Sequence, residues 1–125
     1  MRVLIVDDSA EMCEILQELL QRKGHDTKAT SGERFRAEMA QHFDVLVTDI
    51  YMPGREGLEI ISEIHRIDPA LRIIAMSGGT DYPLMLRAAT QLGAAKTLAK
   101  PFTGDEFVAA VNEAMSNPAP EASAP

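Results

Sequence analysis

The chain has 125 residues, with 19 Asp and Glu against 12 Lys and Arg, so its formal net charge is −7. This length suits one domain with a single buried core, and an apolar content of 46% argues against a disordered chain. The acidic balance argues against nucleic acid or an anionic membrane as a partner, because no surplus of Lys and Arg is present to neutralise phosphates. A single cysteine, Cys13, and the absence of a signal-peptide core predict a cytoplasmic protein.

Short apolar runs alternate with helical patterns along almost the whole chain. The first run, Arg2 to Val6, precedes an apolar stripe at helical spacing, which Ser9 can cap and Gly24 can end. Four further strands are predicted at about 25–29, 44–48, 71–76 and 94–99. The helices between and after them are predicted at about 30–41, 58–67, 81–93 and 103–115. Five strand–helix units in succession predict a parallel sheet.

Two capping-box spacings support the predicted helix starts. Thr30 and Glu33 have this spacing before the second helix, and Thr103 and Glu106 have it before the last one. The predicted class is α/β, a (βα)5 flavodoxin-like doubly wound sheet with strand order 2-1-3-4-5. The domain is predicted to span 1–115, and the segment 116–125, rich in Pro, Ala and Ser, is expected to be a disordered tail or a linker stub.

Polar residues follow four of the predicted strands. Asp7 and Asp8 follow the first strand, Asp49 the third, Ser77 the fourth and Lys100 the fifth. In an open parallel sheet the functional crevice lies beyond the carboxyl ends of the strands, where the strand order reverses. We therefore expect three carboxylates, one hydroxyl and one ammonium to converge at one edge of the sheet.

Three carboxylates in one place repel each other unless a cation binds or a pKa rises. Oxygen ligands of this kind favour Mg²⁺, which binds through one or two carboxylates together with a phosphate. With Mg²⁺ and the lysine ammonium the site would be neutral and able to receive a phosphoryl group. The sequence therefore predicts a magnesium-dependent phosphoryl site.

Four motifs together resemble those of a response-regulator receiver domain of two-component signalling. They are Val-Asp7-Asp8-Ser, Thr-Asp49-Ile-Tyr-Met-Pro53-Gly, Ser77-Gly78 and Lys100-Pro101-Phe102. The resemblance covers roughly residues 1–115. It implies a phosphorylation-activated switch rather than an enzyme with its own substrate. The implied partners are a histidine kinase or phosphotransfer protein and a downstream protein target. The chain is either a stand-alone receiver or part of a larger regulator.

The resemblance also implies a role for each acidic residue. Asp49 is the implied phosphoacceptor, acting as a carboxylate nucleophile that forms an acyl phosphate. Asp8 and Asp49 are expected to hold Mg²⁺ directly, with the backbone carbonyl of Tyr51 as a further ligand. Asp7 is expected to act largely through bound water.

Two further motifs carry the implied phosphoryl contacts. Lys100 would pair with a phosphoryl oxygen, and the Lys100–Pro101 peptide bond is expected to be cis, aiming the ammonium into the site. Ser77 would move its hydroxyl onto the phosphoryl group, which is the implied switch. Gly78 would leave room for the phosphoryl donor.

Two positions depart from the family pattern. Thr97 stands where the family usually has an aromatic residue that turns inward behind the moving switch hydroxyl. Output through the face formed by the fourth predicted helix, the fifth strand and the fifth helix would therefore be weaker or differently connected. Tyr51 stands where smaller polar residues are also common. Our hypothesis is that its ring screens the acyl phosphate from water, so that Tyr51→Ala would shorten the phosphoryl lifetime.

Two other functions compete with the receiver interpretation. A Mg²⁺-dependent phosphatase of the haloacid-dehalogenase type also uses an Asp nucleophile, but at the end of the first strand with a second Asp two residues later, whereas Asp7 and Asp8 are adjacent. A degenerate receiver would act as a binding module without phosphorylation, although Asp7, Asp8, Asp49, Ser77 and Lys100 are all present.

Overall fold

A computed structural model describes residues 1–52, 56–78 and 82–116 of the chain. Its strands are β1 (Arg2–Val6), β2 (Asp26–Thr30), β3 (Val45–Asp49), β4 (Arg72–Ser77) and β5 (Lys96–Ala99). All neighbouring strands are parallel, and their order is β2-β1-β3-β4-β5. The predicted α/β class and strand order are confirmed.

Four α-helices in the described residues cover the two faces of the sheet. They are α1 (Ala10–Gln21), α2 (Gly57–Ile67), α3 (Tyr82–Leu92) and α4 (Gly104–Ser116), with a 3₁₀ helix at Ala37–His42. Helices α1 and α4 contact each other on one face, while α2 contacts both α3 and the 3₁₀ helix on the other. None of the helices in these described ranges combines the length and the apolar character needed to cross a membrane.

The central strands are apolar on both sides because each face has its own core. In β1, Leu4 and Val6 belong to the core under α2 and α3, whereas Val3 and Ile5 belong to the core under α1 and α4. Full burial on both faces explains why these strands read as continuous apolar runs. The two cores hold the strand ends in a fixed register, which positions the polar residues that follow them.

The local signals for α1 and α4 are present in the structure. The Ser9 hydroxyl accepts the backbone N–H of Met12 at 3.1 Å, and Gly24 has φ +87° just after the helix. At α4, the Thr103 hydroxyl accepts the backbone N–H of Glu106 at 3.1 Å, and the Glu106 carboxylate accepts the Thr103 backbone N–H at 3.3 Å. This reciprocal pair is a capping box. Helix α4 includes Ser116, and the rest of the predicted tail, 117–125, lies outside the described residues.

The predicted second helix, at 30–41, is wrong. Only a turn after Ser31 and the short 3₁₀ helix occur there, and the Thr30–Glu33 capping box does not form. The backbone of Arg36 is extended, with φ −134° and ψ 143°, and its guanidinium donates to the carbonyls of Glu33 and Phe35 at 3.0 and 2.8 Å. Burial of the Phe35 ring in the core therefore overrides the local capping signal.

Candidate functional site

Strand register brings Asp7, Asp49, Ser77 and Lys100 to the carboxyl edge of the sheet. Val6 of β1 pairs with Thr48 of β3, so Asp7 and Asp49 follow at the same level on adjacent strands. Ser77 pairs with Ala99, the residue before Lys100, and the Lys100 backbone N–H donates to the Ser77 carbonyl at 2.8 Å. The parallel sheet thus gathers groups that are far apart in the sequence.

The Lys100 ammonium lies between two carboxylates. Its Nζ atom is 3.2 Å from Asp7 Oδ2 and 3.3 Å from Asp49 Oδ2. The Asp7 and Asp49 side chains are only 3% and 13% exposed, while that of Lys100 is 24% exposed. The second oxygen of Asp7 accepts the backbone N–H of Ser9 at 2.9 Å. The single Lys100 ammonium therefore pairs with two nearly buried carboxylates.

The electrostatics of Asp49 reflect this shortage of positive charge. Burial raises the pKa of Asp49 above its ordinary value, and the negative charge of Asp7 raises it further. The Lys100 ammonium and the backbone N–H of Tyr51 lower the pKa, but the net shift of the Asp49 pKa is upward. A second cation at this edge would favour the ionised, nucleophilic form of Asp49.

Ser77 carries a hydroxyl with unused hydrogen-bonding capacity. Its side chain is fully buried, and among the described residues its Oγ atom has no hydrogen-bond partner. A second buried hydroxyl, on Thr48, donates to the Asp49 carbonyl at 3.0 Å. A buried polar group without a partner is costly and usually has a functional reason.

Asp8 does not join the other carboxylates in this arrangement. It is exposed, and its Oδ1 atom accepts the backbone N–H of Gly32 at 2.9 Å. Over the described ranges, no three His, Cys, Asp or Glu side chains form a group that could hold a metal ion. The structure therefore brings together Asp7 and Asp49 of the predicted metal ligands, and directs Asp8 towards Gly32.

Close packing around the site requires glycine at two positions. A Cβ atom on Gly57 would lie 2.1 Å from the Asp49 carbonyl oxygen, so only glycine lets the first turn of α2 rest on the backbone of Asp49. A Cβ atom on Gly78 would lie 2.8 Å from Lys100 Cβ. Gly78 therefore also makes room for the lysine. No sequence motif singles out Gly57, although its place at the start of an apolar helical stripe is a signal.

The structure describes all but one of the remaining predicted residues. The Lys100–Pro101 peptide bond is cis. The Tyr51 side chain is 47% exposed beside the buried Met52, so its screening role stays a prediction. Thr97 is half-buried and pairs with Ala75, and its effect on output is untested. Pro53 of the second motif lies outside the described residues.

The sequence matches the family model of the response regulator receiver domain over residues 3–112. It is 34% identical to the chemotaxis protein CheY of Bacillus subtilis over 118 residues, which cover 92% of this chain and 98% of CheY. It is also 34% identical to the DNA-binding transcriptional regulator NtrC of Azospirillum brasilense over 125 residues. That match covers 98% of this chain but 26% of NtrC, so the chain spans about a quarter of that relative.

The fold is shared with solved receiver structures. A response regulator receiver domain protein from Clostridium thermocellum superposes with a TM-score of 0.81 at 28% identity, covering 92% of this chain and 94% of that one. The strand order of this chain indicates the same flavodoxin-like architecture. The chain therefore belongs to the family of response regulator receiver domains, the switches of two-component signalling.

Proposed function

We propose that this domain accepts a phosphoryl group on Asp49 and that the acyl phosphate changes the surface it offers to a partner protein. The observation that carries this proposal is the combination of a nearly buried carboxylate, a shared ammonium and a hydroxyl with no partner among the described residues, all at one sheet edge. These three groups match the needs of a phosphoryl group: a nucleophile, a positive charge and a hydrogen-bond donor.

The nucleophile of the reaction is a carboxylate oxygen of Asp49. It forms a bond to phosphorus as the bond from phosphorus to the donor breaks, and the electron pair of that bond stays on the donor. A phosphohistidine donor then leaves as imidazole after taking up a proton. The proposed donor is a histidine kinase or a phosphotransfer protein, and the proposed recipient of the signal is a downstream protein target.

Lys100 and Ser77 would hold the transferred group. The Lys100 ammonium already lies 3.3 Å from Asp49 Oδ2, so it can pair with a phosphoryl oxygen bound to that carboxylate. The Ser77 hydroxyl would gain its missing partner by donating to another phosphoryl oxygen. Movement of Ser77 towards the phosphoryl group would shift the carboxyl end of β4.

The donor set also fits Mg²⁺. The residues that would hold it are Asp7, Asp8 and Asp49, with the carbonyl of Tyr51, and all of them offer the oxygen ligands that this ion prefers. The raised pKa of Asp49 supports the need for a cation beyond the one ammonium. When bound, Mg²⁺ would offset the negative charge of the incoming phosphoryl group.

Phosphoryl labelling tests the proposal. The protein is incubated with acetyl phosphate and MgCl₂, and the modified residue is located by peptide mass mapping after borohydride reduction. We expect one phosphoryl group per chain, on Asp49, and none in Asp49→Asn. The control Asp44→Asn changes an exposed carboxylate at the opposite edge of the sheet and should label normally.

Two results would contradict the proposal. Failure of the wild-type protein to label would favour a degenerate receiver that acts only by binding. Labelling of Asp7 together with turnover of a small phosphomonoester would favour the dehalogenase-type phosphatase, whose nucleophile follows the first strand.

A further inference from the structure

Asp8 is held by a residue that none of the strand-end motifs includes. Its Oδ1 atom accepts the backbone N–H of Gly32 at 2.9 Å. Gly32 lies just after β2, 24 residues beyond Asp8 in the sequence. The bond joins an ionisable carboxylate to a backbone donor, and such hydrogen bonds are stronger than those between neutral groups. It connects the acidic edge to the turn that replaces the predicted second helix.

That turn is firmly anchored. The Phe35 backbone N–H donates to the Ser31 carbonyl at 3.0 Å, and the Ser31 hydroxyl accepts the Arg34 backbone N–H at 3.2 Å. The Phe35 ring is fully buried in the core. The Gly32 N–H therefore points at Asp8 from an anchored turn, whereas the Asp8 carboxylate is exposed.

Gly32 also contacts the loop that follows the phosphoacceptor strand. A Cβ atom at Gly32 would lie 2.9 Å from the sulfur of Met52, and Met52 is buried. The turn therefore packs against both the Asp8 carboxylate and the segment that follows Asp49. A change at Asp8 has a direct structural route to that segment.

We infer that Gly32 is a positioning residue that holds Asp8 away from the metal site, and that Mg²⁺ must break the Asp8–Gly32 hydrogen bond to recruit this carboxylate. The inference rests on the proposed function, which supplies the metal. It is carried by two observations: Asp8 is bonded to Gly32, and Asp7, Asp8 and Asp49 do not form a group that could hold a metal as they stand. The bond therefore competes with Mg²⁺ and lowers its affinity.

Titration of the wild-type protein with MgCl₂ at constant ionic strength tests this competition. The amide resonances of Gly32 and Ile50 are followed by NMR, because Ile50 follows Asp49 and reports metal binding independently of Asp8. We expect both resonances to shift with the same midpoint. The Gly24 amide, which donates to the Gln21 carbonyl at the other end of the sheet, should not respond.

The two possible failures are distinguishable. A shift of Ile50 without a shift of Gly32 would overturn the inference and leave the proposed Mg²⁺ site intact. No shift of either resonance would overturn the Mg²⁺ site and the inference with it.

A pair of variants at position 32 isolates the N–H group. Gly32→Pro and Gly32→Ala both add a Cβ atom against Met52, but only proline removes the backbone donor. We expect Gly32→Pro to bind Mg²⁺ about three- to tenfold more tightly than Gly32→Ala, the range that one charge-assisted hydrogen bond at an exposed site supports. Equal or weaker binding by Gly32→Pro would overturn the inference. If this variant does not fold, the wild-type titration still decides.

Discussion

The amino and carboxyl edges of the sheet differ in how their polar groups are satisfied. At the amino edge, Asp44 Oδ2 accepts the Arg2 backbone N–H at 2.8 Å. The Arg2 guanidinium donates to the His42 carbonyl at 2.9 Å and lies 4.7 Å from the centre of the Phe43 ring. These charged groups are exposed, and each has a partner. Because both groups stay in contact with water, pairing them costs little desolvation free energy.

The carboxyl edge has the opposite character. Two nearly buried carboxylates share the Lys100 ammonium, and the buried Ser77 hydroxyl has no partner among the described residues. One sheet therefore pairs exposed charges at its amino edge and leaves two nearly buried carboxylates to share one ammonium at its carboxyl edge. Functional sites commonly retain strain that the rest of the fold offsets.

Removal of the shared ammonium should produce the largest change in stability. Lys100→Met keeps the aliphatic stem but leaves Asp7 and Asp49 without their cation, so we expect the free energy of unfolding to fall by about 2 kcal/mol. Urea unfolding without metal measures this free energy of unfolding. Addition of MgCl₂ should restore much of the lost stability. The control Lys96→Met removes the Lys96–Glu113 ion pair, whose carboxylate is 57% exposed, and should cost less than about 0.5 kcal/mol. Equal losses in both variants would contradict the contrast between the edges.

Neutralising Asp49 should stabilise the metal-free protein. Because burial raises the pKa of Asp49, the fold favours its protonated carboxyl and disfavours the ionised carboxylate. The stability that the protonated carboxyl contributes is complete only below the ordinary pKa of 3.8 and is lost as the pH rises through the raised pKa. Asp49→Asn should therefore raise Tm at pH 7 by about 3 °C, as expected for about 1 kcal/mol in a domain of this size. The gain should shrink as the pH falls towards 3.8. Thermal melts across this pH range measure the effect, with Asp26→Asn as an exposed control. A lower Tm for Asp49→Asn than for the wild type at pH 7 would contradict the account.

At the amino edge, loss of a carboxylate should have the opposite sign. Asp44→Ala removes the acceptor of the Arg2 backbone N–H, so we expect the free energy of unfolding to fall by about 1 kcal/mol. Because this edge binds no metal in our account, MgCl₂ should leave that loss unchanged. Urea unfolding with and without MgCl₂ measures both effects, and a metal-dependent loss would count against the division between the edges.

Ser77 should show the smallest effect on stability. Ser77→Ala removes a buried hydroxyl that has no described partner, so we expect the free energy of unfolding to change by less than about 0.5 kcal/mol. The matched control is Thr48→Val, which removes a buried hydroxyl that donates to the Asp49 carbonyl and should cost about 1 kcal/mol. A larger loss for Ser77→Ala than for Thr48→Val, measured by urea unfolding, would show that the Ser77 hydroxyl is already engaged.

Much of the site could be predicted from the sequence because parallel strands bring their carboxyl ends to one edge. Asp7, Asp49 and Lys100 follow apolar runs of strand length, and strand register alone explains why they meet. The second helix could not be predicted in this way. Its capping spacing is a local signal, whereas the burial of Phe35 and the extended Arg36 depend on the assembled core.

The contacts that adjust the site were also beyond the sequence pattern. Gly57 is needed because α2 rests on the Asp49 carbonyl, and that approach exists only once the helix has packed on the sheet. The bond from Gly32 to Asp8 joins residues on different strand–loop units. Such contacts depend on differences in interatomic distance of a few tenths of an ångström, which hydrophobic periodicity does not encode.

The most direct test of the account is the response of the two edges to an acyl-phosphate mimic. Amide spectra are compared before and after addition of beryllofluoride with MgCl₂. We predict large shifts for Ile50, Ser77 and Lys100 at the carboxyl edge and none for Asp26 and Asp44 at the amino edge. Unchanged resonances at Ser77 and Lys100, or equal shifts at both edges, would contradict the claim that the carboxyl edge is the phosphoryl-accepting end of the domain.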